Sequence, residues 1–400
     1  MEKISFSPPD VGEREIAAVA AALRSGWITT GPRTKELETR IAAFCGTQRA
    51  VCLNSATAAL ELALRLLGVG KGDEVITTAY TYTASASVID HVGAKIVLVD
   101  TQKDCFEMDY DRLADAITPR TKVVIPVDIA GRLIDYDRVF AAVNAKRALF
   151  HPQNALQAAI GRVAVLADSA HGFGSSRGGV MSGAIADFTA FSFHAVKNFT
   201  TAEGGALTWR SIAGVSNDEL YRTVCLMSLH GQSKDALAKT KLGAWEYDVL
   251  TPAYKCNMTD VAAAMGLVQL ERYPDLLARR HELVAIYDKF LKPAGLTALD
   301  HTAAGGFSNC HLYLCRVPDC SLERRSAIIQ YMAEQGIATN VHYKPLPLLT
   351  AYKNLGFVME AYPNAYAQYQ NEITLPLHTL LSDAQAEQVA QTFLQAIAAV

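Results

Sequence analysis

The chain has 400 residues, of which 50% are hydrophobic and 19% charged, with a formal net charge of -3. This balance excludes the disordered and fibrous classes, and the near-neutral charge provides no basic field for nucleic acid. No apolar run approaches about 20 residues, so no membrane span is expected, and the N-terminal MEKISFSPPDVGERE lacks the apolar core of a signal peptide. The expected location is cytoplasmic.

From residue 35 to about 210, two kinds of segment alternate. KELETRIAAFCG and ATAALELALRLLG carry apolar residues at three- and four-residue steps and predict helices. DEVITTAY, KIVLVD, KVVIPVDI, VAVLAD and FTAFSFH are short, β-branched and continuously apolar, as strands buried on both faces are. Strand–helix alternation predicts an α/β fold with a mostly parallel sheet. Ligands in such sheets bind beyond the carboxyl ends of the strands, where Asp128, Asp168 and His194 stand. Residues 144–162 form a long connection to which the pattern assigns no role.

Further on, residues 255–291 predict a long helix capped at Thr259 and Asp260, with a kink near Pro274. HLYLCRV and IATNVHY then predict strands, SLERRSAIIQYMAEQG a helix, and SDAQAEQVAQTFLQAIAAV a final helix capped by Ser382. The expected division is a large domain at 1–250 and a smaller C-terminal α/β domain at 251–400. Eight cysteines occur without a C-x-x-C pair. Cys310, Cys315 and Cys320 step by five, which on a strand points to opposite faces. Reduced, mostly buried thiols and no metal site are expected.

Four segments carry chemistry. In SFHAVKNFTTAEGG, Lys197 follows a buried strand. Desolvation there lowers an ammonium pKa and allows imine formation with an aldehyde cofactor; a plain loop lysine reaching solvent is the other reading. In VAVLADSAHGFG, Asp168 closes a strand and needs a cationic partner, such as a protonated pyridine nitrogen, unless it is a helix cap. In LNSATAALELAL, a helix start at Ala56 and Thr57 offers free backbone N–H groups to a phosphate, or is simply capped. In TTAYTYTASAS, Tyr80 and Tyr82 follow a strand, where an aromatic either stacks on a flat ring or fills the core. In this order along one parallel sheet, the four meet the needs of pyridoxal 5′-phosphate: an imine lysine, a ring-nitrogen partner, a phosphate anchor and a stacking aromatic.

The sequence resembles the DegT/DnrJ/EryC1/StrS sugar aminotransferases, which have the type I PLP-transferase fold. The resemblance runs over nearly the whole chain through LRSGWITTGPRTKELE, LNSATAALELAL, GDEVITTAYTYTASA, PVDIAG, LADSAH, DFTAFSFHAVKNFTTAEGGAL, YKCNMTDVAAAMGLVQLERY and VHYKPLPL. It implies that Lys197 is the catalytic lysine that anchors the cofactor and shuttles a proton. It implies that Asp168 pairs with the ring nitrogen, that His171 contacts the ring or its 3-hydroxyl, and that Tyr82 stacks on the ring. Ala56, Thr57 and Ser192 then hold the phosphate. Asn257, or its neighbour Lys255, reaches the phosphate from a partner subunit, which implies a homodimer with shared active sites. Trp27, Thr29, Thr30, His342, Tyr343 and Lys344 lie in segments near the substrate entrance, and His230 is a further candidate.

The implied reaction moves an amino group from L-glutamate to a nucleotide-linked keto sugar, a 4-keto-6-deoxyhexose on UDP or dTDP, for amino-sugar or surface-glycan biosynthesis. A keto-cyclitol aminotransferase and a non-catalytic PLP-binding regulatory protein are the alternatives. A sugar dehydratase is disfavoured because that branch of the family has histidine where this chain has Lys197.

Overall fold

The computed structural model describes residues 3–233, 246–302 and 305–400. Helices α1 (Glu13–Arg24) and α2 (Pro32–Cys45) lead into β1 (Ala50–Leu53), α3 (Ala56–Leu66), β2 (Glu74–Thr78), α4 (Ala84–His91) and β3 (Lys95–Val99). After α5 (Tyr110–Ala116) come β4 (Thr121–Ile125), α6 (Tyr136–Ala145), α7 (Ala155–Ile160) and β5 (Ala164–Asp168). The short β6 (Ser176–Arg177), β7 (Val180–Met181) and α8 (Ser182–Ile185) precede β8 (Phe188–Ser192), β9 (Gly205–Trp209) and α9 (Asn217–Ser228).

The seven-stranded sheet has the order β1-β9-β8-β5-β4-β2-β3. The pairs β3–β2, β2–β4, β4–β5 and β5–β8 are parallel, and β9 alone runs against its neighbours β8 and β1. Successive strand residues point to opposite faces, and both faces are covered. Val75, Val123 and Ile125 pack with Ala59, Leu60 and Ala63 of α3, whereas Ile76, Val124 and Val165 pack with Tyr136, Val139 and Val143 of α6. This explains why the strands read as continuous apolar runs. Each fully buried aliphatic side chain contributes roughly 1.5–3 kcal/mol.

The C-terminal half begins with α10 (Asp260–Leu291) and continues through β10 (Thr297–Ala298), β11 (Gly306–Phe307), β12 (Tyr313–Arg316) and α11 (Leu322–Glu334). It ends with α12 (Thr350–Asn354), α13 (Pro363–Asn371), β13 (Glu372–Leu375) and α14 (Asp383–Ala399). Strands β10, β12 and β13 form an antiparallel sheet. Tyr313, Cys315, Ile328 and Phe393 form a second core with Leu283, Val284 and Tyr287 of α10. Tyr273, Leu276 and Leu277 of the same helix pack instead with Leu37 and Ile41 of α2.

Caps explain several boundaries. Thr259 accepts from the Ala262 N–H to start α10. The buried Asp260 carboxylate accepts from the Gly31, Arg33 and Thr34 N–H groups, which satisfies the open end of α2 as well. Ser382 and Gln385 form a capping box on α14.

Four details differ from the sequence reading or add to it. Helix α10 starts at Asp260 rather than 255 and continues through Pro274. Strands β1 and β9, too short to stand out as runs, close one side of the sheet. IATNVHY forms only single bridges, Ile337 to Ile4 and Asn340 to Thr374, and makes no regular strand. The 144–162 connection holds α7, and its Asn154 and Gln157 side chains donate to the Leu67 carbonyl while Gln153 donates to Asp73. Those partners precede β2, so this connection braces the end of the sheet opposite the strands' carboxyl termini.

Candidate active site

The loop between β8 and β9 carries Lys197, and aromatic packing holds it. The Phe193 and Phe199 rings, on either side of the lysine, meet edge to face at 4.6 Å, and both pack on Phe173. Such pairs each contribute about 0.5–1.5 kcal/mol beyond area burial. The Lys197 N–H donates to the His194 carbonyl at 2.9 Å, and the Thr201 N–H to the Phe193 carbonyl at 2.9 Å. The lysine is thereby directed into a cavity of about 440 Å³ at the carboxyl ends of the parallel strands. Burial pushes its ammonium pKa down to about 8, against the pull of the Asp168 charge.

Asp168 ends β5 on the same cavity. Its Oδ2 accepts from the Ser85 hydroxyl at 2.6 Å and its Oδ1 from the Ala170 N–H at 3.2 Å. Neither donor is a cation, and burial raises its pKa above the usual carboxylate value despite both bonds and the Lys197 charge. The carboxylate therefore suits a cationic ring nitrogen. Beside it, Asp128 accepts from Ser169 Oγ, Tyr136 Oη and the Ile134 N–H, and burial raises it to about 7.

The end of the cavity at the α3 terminus is built by close approach. The Ser55 side chain caps α3 by accepting from the Ala58 N–H, which leaves the first N–H groups of the helix facing the cavity. Gly205 at the start of β9 is pressed against this turn: a Cβ there would lie 2.4 Å from the Ser55 carbonyl carbon and 2.5 Å from the Ala56 nitrogen. Thr57 and Ser192 line the same end. An anion is favoured at such a helix terminus.

Of the residues predicted from sequence, Ala56, Thr57, Tyr82, Asp168, His171, Ser192, Lys197, His342 and Tyr343 all line this one cavity. The last two come from the C-terminal half. Tyr80 Oη donates to the His342 carbonyl at 2.8 Å and the Leu346 N–H to the Ala79 carbonyl at 2.9 Å, which pins their segment to the end of β2. Tyr80 is itself a core residue, 1% exposed, whereas Tyr82 is 61% exposed. His194, the other strand-end candidate, is exposed, lies 3.5 Å from Glu203 and lines the same cavity.

Thr29, Thr30, His230, Asn257 and Lys344 do not line the cavity of their own chain. The Thr29 carbonyl accepts from the Asp260 N–H, and Thr30 Oγ1 donates to the Met258 carbonyl at 2.5 Å. The Asn257 side chain bonds to Thr30 and Lys255. The His230 N–H donates to the Tyr254 carbonyl, and Lys344 is exposed. The sequence reading did not single out Ser85, His311 or Glu372. The ring of His311 lies 4.4 Å from that of His171, and its Nδ1 bonds to Asn198 Oδ1 at 2.8 Å. Glu372 accepts from the His342 N–H and from Thr374 Oγ1. Only Ser85 carried a signal, as a hydroxyl among small residues after a strand end. All eight cysteines are free thiols.

A lysine with a depressed pKa, a carboxylate lacking a cation and an open helix terminus thus share one cavity, and they fit pyridoxal phosphate end to end. The protein is a pyridoxal-phosphate-dependent enzyme of the type I fold. Solved structures with this architecture include the Streptococcus pneumoniae putative sugar aminotransferase Spr1654 in its PMP form, 58% identical with 99% of each chain covered and a TM-score of 0.97. Helicobacter pylori PseC, an aminotransferase involved in the biosynthesis of pseudoaminic acid, is 27% identical over the full length of both chains, with a TM-score of 0.86. The chain belongs to the DegT/DnrJ/EryC1/StrS aminotransferase family, whose model matches residues 9–394. Among its relatives, the Bacillus subtilis spore coat polysaccharide biosynthesis protein SpsC is 37% identical over 394 residues, with 97% of this chain and 95% of that one covered.

Proposed function

We propose that this aminotransferase moves the amino group of L-glutamate to a nucleotide-linked keto sugar, a 4-keto-6-deoxyhexose on UDP or dTDP, within a surface-glycan pathway. The observation that carries the reading is the shape of the cavity. Lys197, Asp168 and the α3 terminus occupy one side, and the His342–Tyr343 segment of the C-terminal half forms another wall, with about 440 Å³ between them. That volume lies within the range of sites that enclose small ligands. The names of SpsC, PseC and Spr1654 concern polysaccharide, pseudoaminic acid and sugar amination, which supports a sugar as the acceptor.

In this reading the cofactor supplies the electron sink that acidifies the carbon bearing the amino group. Asp168 keeps the ring nitrogen protonated. Ala56, Thr57 and Ser192 hold the phosphate, and Tyr82 covers the ring. Lys197 would hold the cofactor and, as general acid and base, would take and return the proton of the substrate carbon. Its lowered pKa makes the neutral amine accessible near physiological pH. In this reading a second subunit completes the site: Asn257, which does not line the cavity of its own chain, serves the phosphate of a partner in a homodimer. Thr29, Thr30, His230 and Lys344 then belong to the substrate entrance.

The test loads the protein with pyridoxamine phosphate and offers UDP- and dTDP-linked 4-keto-6-deoxyhexoses. Return of the visible cofactor absorbance with formation of the amino sugar supports the reading. A protein that accepts L-glutamate but aminates none of these, and instead aminates a keto-cyclitol, sinks it.

A further inference from the structure

His171 sits in the cavity wall between a donor that cannot change and a hydroxyl that can. The Ala130 N–H donates to its Nδ1 at 3.2 Å. A backbone amide only donates, so Nδ1 carries the lone pair. Burial and the nearby Lys197 charge keep the imidazole neutral. A neutral ring with a bare Nδ1 has its proton on Nε2. The contact between His171 Nε2 and Tyr343 Oη, 2.9 Å long, therefore runs from histidine to tyrosine. Tyr343 stays a phenol, since burial and the Asp168 charge raise its pKa. Its oxygen already accepts one hydrogen bond and its own proton remains to be given. Among the described residues no acceptor takes that proton, and the ring lines the cavity with Lys197, Asp168 and Tyr82.

We propose that Tyr343 is a catalytic hydrogen-bond donor to the carbonyl oxygen of the keto acceptor, and that His171 is the positioning residue that fixes its direction. The inference rests on the keto-sugar reading above and deepens it. The chain Ala130 N–H to His171 to Tyr343 is polarised one way, so the tyrosine presents a donor. A ketone oxygen has lone pairs and no proton, which makes it the complementary partner. The bond polarises the carbonyl toward attack by an amine and strengthens as negative charge grows on the oxygen. The glutamate half also forms a carbonyl oxygen, that of the keto acid it releases, so the role assigned to Tyr343 is toward the sugar carbonyl in preference to the keto acid's, and removing the donor costs the sugar half more.

Two measurements test this. In nitrogen-15 spectra of histidine-labelled protein, with His171→Gln assigning the signal, His171 should show a protonated Nε2 and an unprotonated Nδ1; the opposite tautomer overturns the proposal. Tyr343→Phe keeps the ring and deletes the donor. In single-turnover assays its amination of a UDP-linked 4-keto-6-deoxyhexose should fall on the order of a hundredfold, and by at least about tenfold more than its reaction with L-glutamate. An unchanged amination rate, or equal losses in both halves, overturns the proposal and leaves the functional reading intact. A wild type that accepts glutamate but aminates no keto sugar overturns the functional reading, and this inference with it.

Discussion

Gly205 lies so close to Ala56 that a side chain at the glycine would put its Cβ 2.5 Å from the Ala56 nitrogen, and 2.6 Å from the Phe191 carbonyl oxygen on the other side. Both obstacles are backbone and cannot rotate away. Gly205→Ala should therefore push β9 from the α3 terminus, with a stability cost of about 1–3 kcal/mol and weaker binding of pyridoxal phosphate. Thermal melting and cofactor titration check this. Unchanged cofactor affinity would show that the α3 terminus does not hold the phosphate.

In its proposed role as the cofactor's anchor, Lys197 must be neutral to attack an aldehyde. With its pKa at about 8, about a tenth of the amine is neutral at pH 7, against less than a thousandth for an ordinary lysine. The rate of cofactor capture by cofactor-free protein should rise with pH and level off above about 8. Stopped-flow absorbance from about pH 6 to about pH 10 follows it. Lys197→Ala should show neither the absorbance nor turnover.

Asp168→Asn keeps the shape of the site and removes the charge proposed to hold the ring nitrogen protonated. Turnover should fall by on the order of 10²–10³. The cofactor-free variant should nevertheless melt higher than wild type, because the native carboxylate is buried without a cation. A variant with near wild-type turnover would remove Asp168 from the mechanism.

Asp128 and Glu372 have carboxyl pKa values raised by burial, to about 7 and about 8. A group raised in the folded state binds more protons folded than unfolded, so its contribution to stability is lost as pH rises through the folded value. For Glu372 this window runs from the ordinary carboxyl value of 4.5 to about 8. The cofactor-free protein should lose stability across it, and Glu372→Gln should flatten the slope. Thermal melts over this range, taken for both proteins, decide the matter.

If Asn257 serves the partner's site, Lys197→Ala and Asn257→Ala chains, each impaired alone, should complement when mixed. A mixed dimer contains one intact site and one doubly altered site. Random exchange of subunits then restores about a quarter of wild-type activity. No recovery after verified subunit exchange would place the Asn257 contact elsewhere.

The sequence by itself determined the parallel sheet, because strands buried on both faces must be apolar at successive positions, as Val75 and Ile76 are. It also located Lys197, Asp168 and Thr57, since strand ends and helix starts are local features with local signals. Tertiary structure decided what those residues meet. Ser85 reaches Asp168 across 83 positions, and Tyr343 reaches His171 across 172. No periodicity encodes such pairs, because they depend on how β5, α4 and the C-terminal segment converge after folding. The same holds for IATNVHY, whose strand-like composition yields only single bridges because its backbone is shared between Ile4 and Thr374. The direction of the hydrogen bond into Tyr343 was the least legible of all: it is set by one amide, that of Ala130, whose place beside His171 exists only in the folded chain.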